Sequence, residues 1–261
     1  MKNPKHILIT GASSGIGQAL AEHYARDGVT LYITGRNQER LDAVAQFCRD
    51  KGAMVEARTV DVTDKEAMVK WVEGLAQLDL VIANAGISGG TGGNQAGEPV
   101  AQARTIFDVN ITGVLNTFEP VLQVMEQQTG TPKGQIAIVS SMAGLRGYPS
   151  APAYSASKGT VRFYGEAMRG VLKPQNIEVN VICPGFVDSR ITDANNFPMP
   201  FKMKADKAVH IIAKGLSRNK GRIAFPWPMY VMAGLIGMLP DWLAQKMLSK
   251  VPTKMAIVKE D

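Results

Sequence analysis

Tyr154-Ser155-Ala156-Ser157-Lys158 sets a phenol and an ammonium four residues apart, which places them on one face if the segment is helical. A cation beside a phenol favours the phenolate, so this spacing predicts a Tyr154 pKa drawn down from ~10 toward the range of a general acid or base. Tyr154 is the candidate for proton transfer. Ser141 closes the run Gln135-Ile136-Ala137-Ile138-Val139-Ser140-Ser141, which reads as a buried strand and sets the serine hydroxyl at a carboxyl end. Ligands of α/β folds sit at that edge. Alone, Tyr-x-x-x-Lys also describes an ordinary helix start followed by a solvated charge, so the surrounding segments decide between the two.

Those segments alternate. A strand over 5–10 stops at Gly11-Ala12-Ser13-Ser14-Gly15-Ile16-Gly17, and a helix follows over 18–26. Strand, glycine turn and helix form a dinucleotide-binding arrangement, in which glycines let the backbone approach a pyrophosphate and the helix N-terminus offers N–H donors. The spacing differs from Gly-x-Gly-x-x-Gly, and the Lys-Ser/Thr ending of a phosphate loop is missing. A second strand over 29–34 ends in Gly35-Arg36-Asn37 before a helix over 38–50. An NAD site usually carries a carboxylate there for the ribose 2′-hydroxyl. Here Gly35 stands beside Arg36, whose guanidinium suits a 2′-phosphate at about 1.5–3 kcal/mol per charged hydrogen bond. NADP(H) is therefore expected over NAD(H).

Further strands are predicted over 53–60, 78–83, 135–141 and 178–182, with the last predicted over 223–225. Between them, Asp61-Val62-Thr63-Asp64 supplies a cap at Thr63 or Asp64 for a helix reaching through Trp71 to Ala76. Asn84-Ala85-Gly86 closes the fourth strand, and the glycine-rich loop over 87–94 is expected to be mobile. A long helix from near Val100 carries Asn110 among apolar neighbours, where a buried amide must find partners. The Tyr154 helix runs through Leu172, and Cys183-Pro184-Gly185-Phe186-Val187-Asp188-Ser189 forms a further turn at the carboxyl edge. The pattern predicts an α/β fold: a Rossmann-type, doubly wound parallel sheet of about seven strands with helices on both faces.

At 261 residues the chain suits one large α/β domain. Cys48 and Cys183 lie far apart without metal-ligand spacing, so they read as reduced packing thiols and no metal is expected. The start of the sequence offers no apolar signal region, which predicts a cytoplasmic protein. The net charge of +6 comes from scattered lysines and arginines with no aromatic interleaving, which argues against a nucleic-acid partner.

These segments together resemble the short-chain dehydrogenase/reductase family over roughly residues 5–225. The matches are Thr10-Gly11-x-x-x-Gly15-Ile16-Gly17, Asp61-Val62, Asn84-Ala85-Gly86, Asn110, Ser141, Tyr154-x-x-x-Lys158 and Pro184-Gly185, in the family's order. The resemblance implies hydride transfer between NADP(H) and a carbonyl or secondary alcohol. It implies that Tyr154 moves the proton, that Lys158 lowers its pKa and holds the nicotinamide ribose, that Ser141 binds the substrate oxygen, and that Asn110 positions a relay water. Asp61 and Val62 would meet adenine, Asn84 would line the cofactor, and Val187 and Ser189 would meet the nicotinamide amide. Ser189 replaces a threonine common in relatives and keeps the hydroxyl. Ser14 stands where some NADP-preferring relatives carry a basic residue, which leaves Arg36 to hold the phosphate alone. A homodimer or homotetramer built on the long helices is also implied. A catalytically idle NADPH-binding sensor or scaffold is the alternative, disfavoured because Asn110, Ser141, Tyr154 and Lys158 are all present.

Residues 1–225 read as the dinucleotide-binding and catalytic domain and 226–261 as an apolar, amphipathic extension packing on it. Residues 186–204, with Phe197-Pro198-Met199-Pro200-Phe201, are expected to form a lid over an apolar or lipid-like substrate. The apolar run over 226–240 is too short for the ~20 residues of a spanning helix. After it, Trp242, Leu243, Met247, Leu248 and Val251 are predicted on one side, with Gln245, Lys246, Ser249 and Lys250 on the other. Two readings stand: the extension caps the pocket or a subunit interface, or it rests peripherally on the inner face of an anionic membrane.

Overall fold

The computed structural model describes residues 1–93, 97–193, 195–249, 252 and 254–256. Its elements run β1 (His6–Ile9), α1 (Gly15–Tyr24), β2 (Thr30–Gly35), α2 (Gln38–Asp50), β3 (Met54–Thr59), α3 (Lys65–Val72), β4 (Leu80–Ala83), α4 (Val100–Phe107), α5 (Gly113–Gln127), β5 (Gly134–Val139) and α6 (Pro152–Leu172). They continue with β6 (Ile177–Pro184), α7 (Arg190–Asp193), α8 (Ala205–Ser217), β7 (Arg222–Phe225), α9 (Trp227–Met238) and α10 (Asp241–Leu248). The strands form one parallel sheet in the order β3-β2-β1-β4-β5-β6-β7. The order reverses between β1 and β4, and a crevice for a ligand opens beyond such a reversal.

The strands are apolar on both faces because both are covered. Ile7 and Ile9 pack beneath α1, α2 and α8, whereas Leu8 packs with α3, α5 and α6 on the other side. Ile82 and Ala137 continue the first layer, and Val81, Ile136 and Ile138 the second. Local chemistry starts the helices. Asn37 Oδ1 accepts from Arg40 N at 2.8 Å to cap α2, and Asp64 Oδ1 accepts from Ala67 N at 3.0 Å to cap α3. Asp64 is thus the cap, and α3 stops at Val72, short of the predicted Ala76. Both cysteines are free and buried.

The structure corrects three expectations. The helix predicted from Val100 is interrupted by a π turn over Asp108–Thr112 before α5 resumes. Widened turns of this kind concentrate at functional sites. The glycine loop expected to be mobile is tied down: Asn110 binds both backbone groups of Ile87, Gln102 Nε2 donates to Gly90 O at 2.9 Å, and Gly90 N and Gly92 N each donate at 2.8 Å to Met255 O and Lys254 O. Gly90 and Gly92 pass close to Ser150, Lys254 and Ala256, whereas a Cβ on Gly93 would meet nothing within 4 Å; Asn94 lies outside the described residues. Third, α10 divides the predicted apolar side, burying Leu248 and leaving Leu243 half-buried. Ala244 and Leu248 face the protein, while Trp242 and Met247 are exposed, because α10 ends at Leu248 and only an i, i+4 stripe meets the body. Lys250 and Val251 lie outside the described residues.

α9 packs through Ala233 and through Met229, whose sulfur would stand 2.9 Å from a Cβ at Gly185. Arg146 fixes its end by donating to Gly237 O and Leu239 O at 3.2 Å, and by pairing with Asp241 at 2.9 Å. Trp227, Val231, Leu235 and Met238 stay exposed on its outer side. Among the described residues no helix is long and apolar enough to cross a membrane.

Candidate active site

At the carboxyl end of β1 the chain turns through Gly11 at φ +65° and Gly15 at φ +57°, left-handed conformations that glycine adopts without strain. A Cβ on Gly17 would stand 2.3 Å from Gly11 O and 2.5 Å from Asn84 Nδ2. Asn84 is itself anchored, donating to Thr10 O at 2.9 Å and Gly11 O at 3.1 Å, while Thr10 Oγ1 accepts from the Asn84 and Ala85 amides. The ends of β1 and β4 are thereby locked together. Ser14 precedes α1 without capping it through its side chain, so the first-turn amides of this ten-residue helix stay open to an anion. Left-handed turn, backbone bare of side chains and uncapped amides fit a dinucleotide pyrophosphate.

The remaining cofactor candidates border this turn. Ser13 Oγ would touch a Cβ on Gly35 at 2.7 Å, and Arg36 is exposed beyond it. Asp61 holds its own turn by accepting from the Thr63 amide and hydroxyl at 2.9 and 2.8 Å. Val62 is buried against Gly113, with Asn116 Nδ2 donating to its carbonyl at 2.9 Å. On the far side Pro184 ends β6, Gly185 N donates to Phe225 O at 2.8 Å, and Val187 O accepts from Thr192 Oγ1 at 2.9 Å. Ser189 brings that turn to the glycines, its Cβ 2.9 Å from where a Cβ on Gly15 would sit. Ile16 packs partly buried against the core.

The proton-transfer candidates meet where β5 ends. Ser141 lies just beyond β5, accepts from Ala143 N at 3.1 Å through Oγ, and starts a short 3-10 turn. Lys158 is almost wholly buried; its Nζ donates to Val139 O at 2.9 Å and stands 6.0 Å from the Tyr154 ring centroid. Its helix is clamped, since Ser140 Oγ donates to Lys158 O at 2.7 Å and a Cβ on Gly144 would meet Lys158 C at 2.6 Å. Gly86 leaves room for both neighbours: its Cβ would stand 3.1 Å from Asn110 Oδ1 and from Lys158 Nζ. Asn110 accepts from Ile87 N at 2.8 Å and donates at 3.0 Å to Ile87 O and to Ser157 Oγ, which in turn donates to Tyr154 O at 2.8 Å. Both of its amide protons are committed.

The electrostatics differ from the prediction. Burial lowers Lys158 to about 8, because an ammonium away from water is disfavoured. Burial likewise raises Tyr154, and hydrogen bonds from Ser141 and Ser88 only partly offset it. The lysine does not by itself bring the phenol into the working range, since its own charge is weakened by the enclosure that raises the tyrosine. Two groups here were not foreseen. Ser88 hydrogen-bonds the Tyr154 hydroxyl, and Lys254 Nζ donates to Ser88 Oγ at 2.6 Å while lying 4.9 Å from the Tyr154 ring centroid. Ser88 sat in a loop expected to be mobile, and one lysine among many scattered ones gives no local signal.

Among known proteins the chain is 38% identical over 238 residues to an uncharacterized oxidoreductase of Myxococcus xanthus, covering 90% of this chain and 92% of that protein. It is 33% identical over 208 residues to a 3beta-hydroxysteroid dehydrogenase of Mediterraneibacter gnavus, covering 76% and 72% of the two. Among solved structures, a short-chain dehydrogenase from Sphingobium yanoikuyae in complex with NADPH superposes with a TM-score of 0.79 at 27% identity, covering 97% of this chain and 98% of that one. The family model described as short chain dehydrogenase matches residues 5–198, a stretch that runs from the glycine turn through the Tyr154 helix to the turn after β6. With that match on top of the sheet order and the crevice it opens, the chain belongs to the short-chain dehydrogenase/reductase family of oxidoreductases.

Proposed function

We propose that this protein is an NADP(H)-dependent oxidoreductase acting on a carbonyl or secondary alcohol, with an apolar or lipid-like substrate. The observation that carries the reading is the convergence of Ser141, Tyr154 and Lys158 at the sheet's carboxyl edge, with Lys158 Nζ 6.0 Å from the Tyr154 ring centroid and anchored on Val139 O. The nicotinamide supplies or receives the hydride when bound. In reduction Tyr154 gives its proton to the substrate oxygen, and in oxidation it takes the proton back. Ser141 donates to the same oxygen and fixes it beside the phenol. Among the described residues Lys158 Nζ has one hydrogen-bond partner and donors to spare, which suit the ribose hydroxyls. Asn110 acts by anchoring Ile87 and Ser157, so a relay water would be held by the main chain of the widened turn. Ser13, Ser14, Ile16 and the turn glycines take the pyrophosphate, Asp61 and Val62 border adenine, and Val187 and Ser189 border the nicotinamide. A catalytically idle sensor would have no need of this arrangement. Turnover of ketones and alcohols of increasing chain length with NADPH or NADP tests the reading; no turnover across that series overturns it.

Preference for NADP(H) is assigned to Arg36, and the NADPH-bound relative supports it. A carboxylate at Gly35 would push against Ser13 Oγ, so the clean test is Arg36 alone. Arg36→Ala should weaken NADPH by about tenfold to a hundredfold and leave NADH nearly unchanged, as read by fluorescence titration. Equal affinities in the wild type would remove the preference.

The apolar substrate class draws support from Phe186 and Phe197, stacked edge-on at 6.1 Å in the segment after β6, and from the similarity to a hydroxysteroid dehydrogenase. A homo-oligomer would use the apolar side chains exposed on the long helices, among them Phe107, Leu115, Phe163 and Val171. Sedimentation with and without anionic vesicles separates a second copy from a lipid surface as the partner of the exposed α9 stripe.

A further inference from the structure

We propose that Lys254 is a positioning residue of the active site, carried in by its segment and acting through Ser88 to favour the ionised form of Tyr154. This rests on the reading of Tyr154 as the group that moves the proton. The placement is built from the backbone. Gly92 N donates to Lys254 O and Gly90 N to Met255 O, both at 2.8 Å, so the 254–256 segment lies along the glycine loop in fixed register. Gly90 makes the approach possible: a Cβ there would stand 2.4 Å from Ser150 O, 2.5 Å from Lys254 Cβ and 2.6 Å from Lys254 O. From that register the lysine reaches inward, its Nζ 2.6 Å from Ser88 Oγ and 4.9 Å from the Tyr154 ring centroid, and Ser88 in turn acts on the phenol to lower its pKa.

Among the described residues no carboxylate pairs with Lys254. Its partners are a hydroxyl and the Tyr154 ring, and burial lowers it to about 8. A part-buried ammonium without a counter-ion is costly, and a purely structural tie would be served by a neutral side chain. The charge therefore has work to do at the phenol. An ammonium within ~4–6 Å lowers a neighbouring acid by about 1–3 pKa units, and a serine hydroxyl that accepts from a cation becomes a stronger donor to the next oxygen. Lys254 acts against the burial that raises Tyr154. Of the other ionisable groups around this site, Lys158 on α6 is lowered to the same value of about 8 and stands farther from the Tyr154 ring centroid, at 6.0 Å against 4.9 Å for Lys254; Cys183 on β6 is pushed up to about 11 and stays a thiol, and the carboxylate of Glu98 is engaged with Ala153 N at 2.7 Å. The effect is present below about 8, where Lys254 is charged, and fades as pH rises through that value.

The test uses full-length holoenzyme. In Lys254→Met, neutral-pH kcat of alcohol oxidation should fall about tenfold with KM for the cofactor unchanged, and the deficit should close as pH rises past about 8, where the wild-type lysine has itself discharged. Lys254→Arg should restore the neutral-pH rate. Gly90→Ala keeps the lysine but unseats its segment, and should show the same neutral-pH loss. A readout independent of turnover is the tyrosinate absorbance of Tyr154, taken as the difference between each protein and its Tyr154→Phe partner; its titration should move downward in Lys254→Arg, whose charge persists through it, and stay in place in Lys254→Met. If the wild type turns over no ketone or alcohol, the enzymatic reading fails and the titration of Lys254→Arg still decides the role of this position. An unchanged neutral-pH rate and an unchanged titration in every variant, with only a lower melting temperature, would leave a structural tie and overturn the proposal. A rise in kcat/KM on losing the lysine would make the segment a plug, and would overturn it as well.

Discussion

Tyr154→Phe is expected to cut turnover by roughly 10²–10⁴-fold, the range for loss of a general acid, while NADP(H) affinity stays within about twofold. The two effects separate because the parts are built separately. The proposed cradle for the pyrophosphate is Gly11, Gly15 and Gly17 with the open first turn of α1 at the end of β1, whereas Tyr154 stands on α6 beyond β5. The phenyl ring keeps its place against Lys158 and Lys254, so only the hydroxyl and its hydrogen bonds to Ser141 and Ser88 are lost. Steady-state kinetics beside fluorescence titration of the cofactor give the answer. Normal turnover in the mutant would sink the assignment of Tyr154; loss of both activity and binding would mean that the ring, rather than its proton, organises the site.

The fold was legible because it is written in short-range pattern. Alternating strands and helices need only local apolar periodicity, and the glycine turn announces itself by residue type. The strands fell within a few residues of the observed ones, and Asp64, one of the two caps the sequence offered, is the one that caps α3. The π turn was not legible. Asn110 has the burial that the apolar neighbours implied, yet the widened turn depends on its ties to Ile87 and Ser157, far along the chain. The same holds for Tyr154. The i, i+4 spacing gives the direction in which a lysine acts on a phenol, but desolvation depends on everything folded over the site and here wins for both groups. Ser88 and Lys254 were invisible for a related reason. Their meeting spans a sequence separation that no local pattern encodes, and it is made by backbone hydrogen bonds, available to nearly any sequence whose loop is bare enough at Gly90.

Replacing Lys158 with methionine should separate stability from activity. Turnover should drop by at least about 10²-fold, since the ammonium 6.0 Å from the Tyr154 ring centroid and the donors proposed for the ribose hydroxyls are lost together. Stability should respond in the opposite sense. Burial lowers Lys158 from 10.5 to about 8, a difference worth about 3 kcal/mol at roughly 1.4 kcal/mol per unit, and it opposes folding whenever the lysine must be charged. Because the folded pKa lies below the unfolded one, the unfolded chain binds more protons between about 8 and 10.5, and stability must rise with pH across that window. The penalty is fully present below about 8 and is gone above 10.5. Without cofactor, therefore, the mutant should gain on the wild type most at neutral pH, and the gap should close as pH rises. The Val139 carbonyl left without its donor subtracts about 1–3 kcal/mol at every pH, so the slope, rather than the size at one pH, is the diagnostic. Lys254, also lowered to about 8, contributes a slope of the same sign in both proteins and cancels in the comparison. Denaturant melts of the two proteins from neutral pH to about 10 read it directly. A stability difference that does not change with pH would mean that Lys158 keeps its ordinary pKa in the fold, and that its ammonium is hydrated or paired in a way its hydrogen bond to Val139 O does not provide.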